Sequence, residues 1–417
     1  MIDIKLIREN PELVKESQKK RGLSVDDVDK ILGADEKWRG LKAEVDELRS
    51  KRNRISEEIN KSKKEGRKID DLLKEAKNIP QLLEEKERLM DESKHVRDSL
   101  LLNIPNIIDK SVPTGTNKVM KVHGKPKKLK FAKDHADLLE SLDLIDTKKA
   151  SDVAGARFYY LKDEMVKLNY AIINFALDFL KKKGFNLIQP PFMLRKDSLS
   201  GAIPLAVFEE MIYKIENEDL YLIGTAEHAI NAYYTSEIIP NNKLPIRFAG
   251  ISTCFRKEAG SHGKDTKGIF RTHQFEKVEQ FIFCKPDDSW KEFDLLLKNS
   301  EEILKLLKIP FRFVILSSQE TGRTATETID FEGWFPSQNA YRELGSCSNC
   351  LDYQARRGNI RYQDKNEMKF VHTLNNTAIA TERMIVCLVE NYQQKDGSIK
   401  IPEALWKYTG FKVIKKK

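Results

Sequence analysis

Residues 254–281 read Cys254-Phe-Arg-Lys-Glu-Ala-Gly-Ser-His-Gly-Lys-Asp-Thr-Lys-Gly-Ile-Phe-Arg-Thr-His-Gln-Phe-Glu-Lys-Val-Glu-Gln-Phe281. Apolar residues at either end predict two strands. Between them, Gly260, Gly263 and Gly268 sit in a polar connection too long for a tight hairpin, suited to a mobile loop over a ligand. Arg256 and Glu258 are two apart on the first strand, so they share one face of the pleat. Arg271, His273 and Phe275 repeat that spacing on the return strand, and Glu279 falls on the same face. A guanidinium for phosphate, a carboxylate for a base amine and a ring for stacking are the parts an ATP site needs. A surface hairpin in which Arg256 and Glu258 only pair with each other fits the same stretch.

Working outward, Leu222-Ile-Gly-Thr225-Ala226-Glu227 leaves an apolar strand and enters a helix. Thr225 and Glu227 are either groups beside a pocket or an ordinary helix start, since Thr caps well and Glu suits a first turn. Downstream, Tyr341-Arg-Glu343-Leu344-Gly345-Ser346-Cys347-Ser-Asn-Cys350 offers a Cys-x-x-Cys pair. No second pair completes a zinc ligand set, so a structural metal is not expected there. His372-Thr-Leu-Asn375-Asn-Thr377-Ala-Ile-Ala-Thr-Glu-Arg383 runs into an apolar helix, with Arg383 at its start. Residues 163–183 have Met165, Leu168, Ile172, Phe175 and Phe179 at helical spacing; Gly184 and a strand ended by Pro190-Pro191 follow.

The first hundred residues are different in kind. Trp38, Leu41, Val45, Leu48, Ile55 and Ile59 step by threes and fours, with Arg52 filling one seam position: a heptad pattern. Lys64-Glu-Gly-Arg67 breaks it, and a second helical segment runs from about Ile69 to Leu102, with Pro80 expected to kink or interrupt it. Two such segments joined by a short turn lie antiparallel, an arm roughly 40–50 Å long. Nine Lys/Arg against three Glu lie between Arg49 and Lys68, so positive charge gathers near the turn. That suits a phosphate backbone, or equally a dimerisation coiled coil with a solvated basic face. Residues 111–134, rich in Lys, Gly and Pro, read as a linker.

Composition bounds the rest. A chain of 417 residues suggests two domains, and a net charge of +9 favours a polyanionic partner without naming it. Five cysteines form no framework, there is no signal-peptide pattern, and no run approaches the ~18 apolar residues of a membrane span. A soluble cytoplasmic protein, with no membrane or DNA partner, is expected. The Gly-x-x-x-x-Gly-Lys-Ser/Thr spacing of a P-loop is absent at Gly263-Lys264-Asp265-Thr266.

The hairpin, with Phe255-Arg256-x-Glu258 and His273-x-Phe275, resembles motif 2 of class II aminoacyl-tRNA synthetases. Its loop and return, from Ala259-Gly260-Ser261 to His273-Gln-Phe-Glu-Lys-Val-Glu279, resemble the seryl-tRNA synthetase form. The helix–strand–proline stretch is similar to motif 1, which builds the dimer interface in that class, and the Arg383 stretch to motif 3. Where many members carry Asn-Gly-Ser-Gly, this chain has Asn375-Asn-Thr377-Ala378. The opening Met-Ile-Asp-Ile-Lys-Leu-Ile-Arg-Glu-Asn-Pro-Glu12 and the helical hairpin resemble the family's N-terminal domain, which grips the long variable arm of its tRNA.

The resemblance implies an α+β fold: an antiparallel helical hairpin (1–110), a linker (111–150) and a class II catalytic domain (151–417) with a mainly antiparallel sheet. It implies an ATP-dependent serine–tRNA ligase working as a homodimer, with tRNA(Ser) as acceptor and tRNA(Sec) open as a second. Arg256 and Arg383 would be catalytic, holding the α- and γ-phosphates of ATP. Phe275 would stack on adenine and Glu258 accept from its amine, with Lys257, Thr272, Leu344 and Gly345 completing the ATP site. Glu343 and Ser346 would hold Mg2+. L-serine would meet Thr225, Ala226, Glu227, Arg256, Glu279, Asn375 and Thr377. Arg52, Arg54, Lys63 and Lys64 would contact tRNA. An ionised carboxylate at Glu279 can accept from both an ammonium and a hydroxyl, which suits serine, because a site built for a hydroxyl rejects the analogue lacking it. Two rival readings are an amino-acid:carrier-protein ligase, whose members usually lack the arm, and a non-catalytic RNA-binding coiled-coil dimer.

Overall fold

A computed structural model describes residues 1–259 and 267–416. The chain divides into two compact units, Ile2–Ile104 and Pro105–Lys417 together with Met1.

The first unit opens with short helices Ile4–Glu9 and Pro11–Lys20. Asn10 separates them: its side chain accepts from the Leu13 amide at 3.2 Å, and Pro11 takes the first helical position, where its missing N–H costs nothing. Two long helices follow, α1 (Asp26–Lys64) and α2 (Asp70–Asn103). Gly66, at φ +70°, makes the turn between them. Leu41, Val45 and Ile55 of α1 and Ile79 and Leu83 of α2 are buried along the seam. Ion pairs Arg49–Glu87, Lys51–Glu75 and Lys86–Glu44, at 2.6–2.7 Å, cross between the helices. They are largely solvent-exposed and screened, so the apolar seam does the holding.

Three details depart from the heptad reading. Arg52, which the heptad count puts at a seam position, is exposed. Helix α2 continues through Pro80, which is exposed while Ile79 and Leu83 pack inward. Away from the turn, the seam position at Asp35 holds a fully buried carboxylate. It is met by Arg8 at 2.7 Å, Arg39 at 3.0 Å and Arg97 at 3.4 Å. Arg97 in turn lies 4.3 Å from the centre of the Trp38 ring.

The second unit is built on an eight-stranded sheet. Its strands are β1 (Lys118–His123), β2 (Asn186–Ile188), β3 (Ile246–Phe255), β4 (Gln274–Cys284), β5 (Phe311–Ile315), β6 (Glu327–Phe335), β7 (Ala340–Asn349) and β8 (His372–Ala380). The spatial order is β1-β5-β6-β7-β8-β4-β3-β2, antiparallel throughout except for the β2–β3 pair. Among its helices are α3 (His135–Ser141), α4 (Glu164–Lys182), α5 (Ala226–Ala232), α6 (Ser289–Leu306) and α7 (Thr381–Tyr392). Leu168 and Ile172 of α4, Leu296 and Ile303 of α6, and Ile385 and Leu388 of α7 share one core with Val278, Ile282 and Leu374 of the sheet. Each fully buried side chain of this kind contributes about 1.5–3 kcal/mol. The helical arm and mainly antiparallel sheet match the fold class expected from sequence.

The segment expected as a linker has structure. Within 111–150, β1 joins the sheet edge against β5, and α3 buries Leu138 and Leu139. All six residues of β1 are exposed. Its two lysines, Lys118 and Lys121, are what an unpaired edge needs to discourage further pairing, which is why its composition looks like a linker's.

Candidate functional site

Strand β4 lies between β3 and β8, so its side chains meet residues from both neighbours. Phe275, Lys277 and Glu279 alternate onto one face and line a cavity of about 150 Å³. Thr225 and Glu227 enter from the start of α5, Arg256 from the end of β3, and Glu343 to Ser346 from β7. Asn375 and Thr377 come from β8, and Glu382 and Arg383 from the first turn of α7. Glu279 stands opposite Thr377 on one side and Gly250 on the other. Gly345 is a position of close approach: a Cβ there would lie 2.5 Å from the Phe331 ring and 2.7 Å from Thr377. Any larger residue would push β7 off the cavity wall.

The hairpin is shorter than its pleat pattern suggests. The β3–β4 ladder ends at Phe255 and Gln274, so Arg256, Glu258, Arg271 and His273 lie beyond it. Glu258 adopts φ +50°, which a regular strand forbids. The two chains are still joined there: the Arg256 amide donates to the His273 carbonyl at 2.9 Å, and His273 Nδ1 lies 2.9 Å from the Arg256 carbonyl. Glu258 turns to Arg271, at 3.5 Å, and does not line the cavity. Gly260 and Gly263, with the rest of 260–266, lie outside the described residues.

At one end of the cavity the groups suit a cation and a hydroxyl. The Thr225 hydroxyl donates to Glu279 Oε2 at 3.2 Å, and Lys277 pairs with the same oxygen. Glu227 Oε1 accepts from Gln354 at 2.6 Å and Asn375 at 3.1 Å. Burial, then the nearby Glu279 charge, pushes the Glu227 carboxyl up to about 7.

At the other end the groups suit phosphate. Arg256 Nε donates to the Gly224 carbonyl at 3.1 Å, and its guanidinium lies 5.4 Å from the Phe275 ring centre. Arg383 Nη1 meets Glu343 Oε1 at 2.6 Å. Against the cost of desolvation, Arg383 holds the Glu343 carboxyl below its ordinary range. Burial pushes Glu382 up to about 7, despite the neighbouring Arg383. Glu343 and Ser346 are hard oxygen donors, and Asp330 stands opposite Ser346 across the ladder. Asp330 Oδ1 is buried with no hydrogen-bond partner among the described residues. An orphaned oxygen beside two further oxygen donors fits a magnesium ion.

Ala226, Lys257 and Thr272 stand off the cavity wall. Ala226 is buried at the helix start, packed towards Gly250. Lys257 Nζ lies 5.8 Å from the Tyr213 ring, and the Thr272 hydroxyl donates to the Gln274 carbonyl at 3.1 Å. Lys277, Glu382 and Ser348 line the cavity without having been expected. Lys277 was within reach of the period-two argument that joined Phe275 to Glu279; Glu382 gives no such signal. Arg52, Arg54, Lys63 and Lys64 are exposed near the turn of the arm. A larger groove of about 660 Å³, between β1 and α6, contains none of the expected site residues.

Comparison with known proteins is consistent along the chain. Residues 1–108 match the family model described as the seryl-tRNA synthetase N-terminal domain. Residues 211–392 match the tRNA synthetase class II core domain (G, H, P, S and T). The chain is 46 % identical to a serine–tRNA ligase of Nitrosopumilus maritimus, over 98 % of this chain and 99 % of that one. It is similar to a crystal structure of seryl-tRNA synthetase from Pyrococcus horikoshii complexed with ATP, with TM-score 0.96, 45 % identity and full coverage of both chains. A cytoplasmic serine–tRNA ligase of Naegleria fowleri in complex with AMP superposes with TM-score 0.90 at 38 % identity, covering 100 % of this chain and 99 % of that one.

Proposed function

The chain belongs to the seryl-tRNA synthetase family, and from that membership we propose how its own residues join serine to tRNA. The observation that carries the reading is the meeting of Thr225, Glu227, Arg256, Phe275, Glu279, Glu343, Ser346, Asn375, Thr377 and Arg383 around one cavity. They come from six separate elements, and they sort into an acidic, hydroxyl-bearing end and a cationic end.

L-serine binds at the acidic end. Its ammonium faces Glu227 and Glu279, and its hydroxyl is held between Glu279 and Thr377. Phe275 stacks on the adenine of ATP; Arg256 holds the α-phosphate and Arg383 the γ-phosphate. The serine carboxylate attacks the α-phosphorus, the bond to the bridging oxygen breaks, and pyrophosphate leaves with seryl-adenylate remaining. A ribose hydroxyl of the tRNA's terminal adenosine then attacks the seryl carbonyl and AMP leaves. Most of the rate comes from holding the reactants in line and neutralising charge with fixed cations. Glu343 and Ser346 would hold a magnesium ion, which when bound neutralises phosphate charge.

The exposed cations Arg52, Arg54, Lys63 and Lys64 support binding of the tRNA(Ser) variable arm; tRNA(Sec) is a second acceptor to test alongside it. Exposed Val166 and Tyr170 on α4 and Leu187 on β2 support self-association through the motif 1 surface. Among the described residues no helix is long and apolar enough to cross a membrane, and we place the protein in the cytoplasm. The full-length likeness to serine–tRNA ligases and the intact cavity count against the carrier-protein and non-catalytic readings. The test is serine-dependent exchange of pyrophosphate into ATP, followed by aminoacylation of tRNA(Ser). Purified protein showing no serine-dependent exchange would remove the proposal.

A further inference from the structure

We propose that His135 is a positioning residue for Arg383, acting through Ile269 and Phe270; this rests on the ATP reading above. His135 opens α3 and is 2 % exposed. Its Nε2 accepts from the Ile269 amide at 3.2 Å. A neutral imidazole that accepts at Nε2 carries its proton on Nδ1. Nδ1 lies 3.6 Å from both Asp134 Oδ2 and Glu390 Oε1. Neither Nδ1 nor Glu390 Oε1 has a closer hydrogen-bond partner among the described residues. The other Glu390 oxygen accepts from the Ser337 amide at 3.1 Å and its hydroxyl at 2.7 Å, which fixes the carboxylate. Glu390 lies on α7, two turns beyond Arg383. His135 therefore stands between the helix that presents Arg383 and the chain that leads into β4.

Asp134, His135 and Glu390 are also ligand types that a cation would use. The Ile269 amide argues against that use. A metal on Nδ1 puts the ring proton on Nε2, where it would face the Ile269 N–H.

The chain at Ile269 is held close to the histidine. Gly268 adopts φ +76°, and a Cβ there would fall 2.1 Å from His135 Nε2, so only glycine allows the approach. The next residue but one, Phe270, is buried beneath two guanidinium groups. Arg342 lies 4.6 Å and Arg383 5.6 Å from its ring centre, and Phe335 packs edge-on at 5.5 Å. Phe270 thus forms a floor under Arg383. Without the acceptor at His135, the buried Ile269 N–H is unpaired, the chain shifts, and the floor moves with it. The cost falls on the phosphate end of the cavity and not on the serine end.

The experiment measures ATP–pyrophosphate exchange with the full-length chain, taking KM for ATP and for serine separately. His135→Ala raises KM for ATP roughly tenfold and changes KM for serine less than about twofold. His135→Gln, whose amide oxygen reaches the Ile269 N–H, recovers most of the loss. His135→Asn, which keeps a donor near Nδ1 and lacks that acceptor, does not. Phe270→Leu gives the same selective rise, and combining it with His135→Ala costs less than the sum. The inference is overturned if an active His135→Ala enzyme keeps a normal KM for ATP, or if both constants rise together with a fall in Tm. It is also overturned by one equivalent of divalent metal in the purified protein that His135→Ala loses. Wild-type chain without exchange would overturn the functional reading and this inference together; a silent His135 series in an active enzyme would overturn this one alone.

Discussion

Arg383 Nη1 and Glu343 Oε1 lie 2.6 Å apart, so the candidate γ-phosphate cation and a candidate magnesium carboxylate are direct partners. The pair is asymmetric: the Arg383 side chain is 16 % exposed and that of Glu343 41 % exposed. On the proposed reading, a triphosphate would compete with Glu343 for Arg383, and a magnesium ion held by Glu343 would take up the carboxylate. Opposite effects on ATP binding follow for the two partners.

Arg383→Ala is expected to lower exchange about 10²–10³-fold, the usual cost of removing a fixed charge that stabilises a transition state. Glu343→Ala frees Arg383. It should tighten ATP binding in EDTA, read by calorimetry, while exchange falls and needs more magnesium. Unchanged magnesium dependence in that variant would remove Glu343 from the metal role.

Glu279 is paired with the almost fully buried Lys277 and accepts from Thr225. Glu279→Ala is expected to lower kcat/KM for serine while leaving KM for ATP within about threefold, and to narrow discrimination against alanine by roughly 10²-fold or more. It also leaves Lys277 buried without its partner, costing about 3–5 kcal/mol in stability. Adding Lys277→Met should restore much of the lost Tm and none of the serine selectivity. Undiminished preference for serine over alanine in the single variant would exclude Glu279 as the hydroxyl reader.

Burial lifts Glu227 from an ordinary 4.5 to about 7. A carboxyl raised on folding binds its proton more tightly in the folded state. Its contribution to stability is therefore full below pH 4.5 and is lost as pH rises through about 7. Serine binding has the reverse sign, because the ammonium needs Glu227 ionised. KM for serine should fall as pH rises through about 7, and Glu227→Gln should flatten that limb. Glu382 titrates in the same window, so Glu382→Gln is the control; a limb that disappears in that variant instead would assign it to Glu382.

The arm makes a separable prediction. Reversing charge at Arg52, Arg54, Lys63 and Lys64 leaves serine-dependent exchange untouched and weakens tRNA(Ser) binding. The logarithmic salt slope should become shallower by roughly one for each phosphate that is no longer neutralised. Equal affinity and slope in the reversed protein would remove the tip from tRNA recognition.

Local pattern made a good part of this legible. Period-two spacing placed Phe275 and Glu279 on one face, heptad spacing located the two arm helices, and Arg383 was recognised at a helix start. The same kind of pattern could not locate the end of the β3–β4 ladder, because a strand stops where its neighbour stops pairing. It read β1 as linker, since edge strands and linkers are both rich in lysine. It also missed Asp35, whose burial depends on arginines at positions 8 and 97, far away in sequence.

By itself, then, the sequence determined which side chains share a face of one element, since backbone geometry repeats within a few residues. Only the tertiary structure decided which of those faces meet. Thr225 reaches Glu279 across 54 positions, and Glu343 on strand β7 pairs with Arg383 on helix α7. Their protonation states and mutual distances depend on what burial places around them, and no local periodicity encodes that.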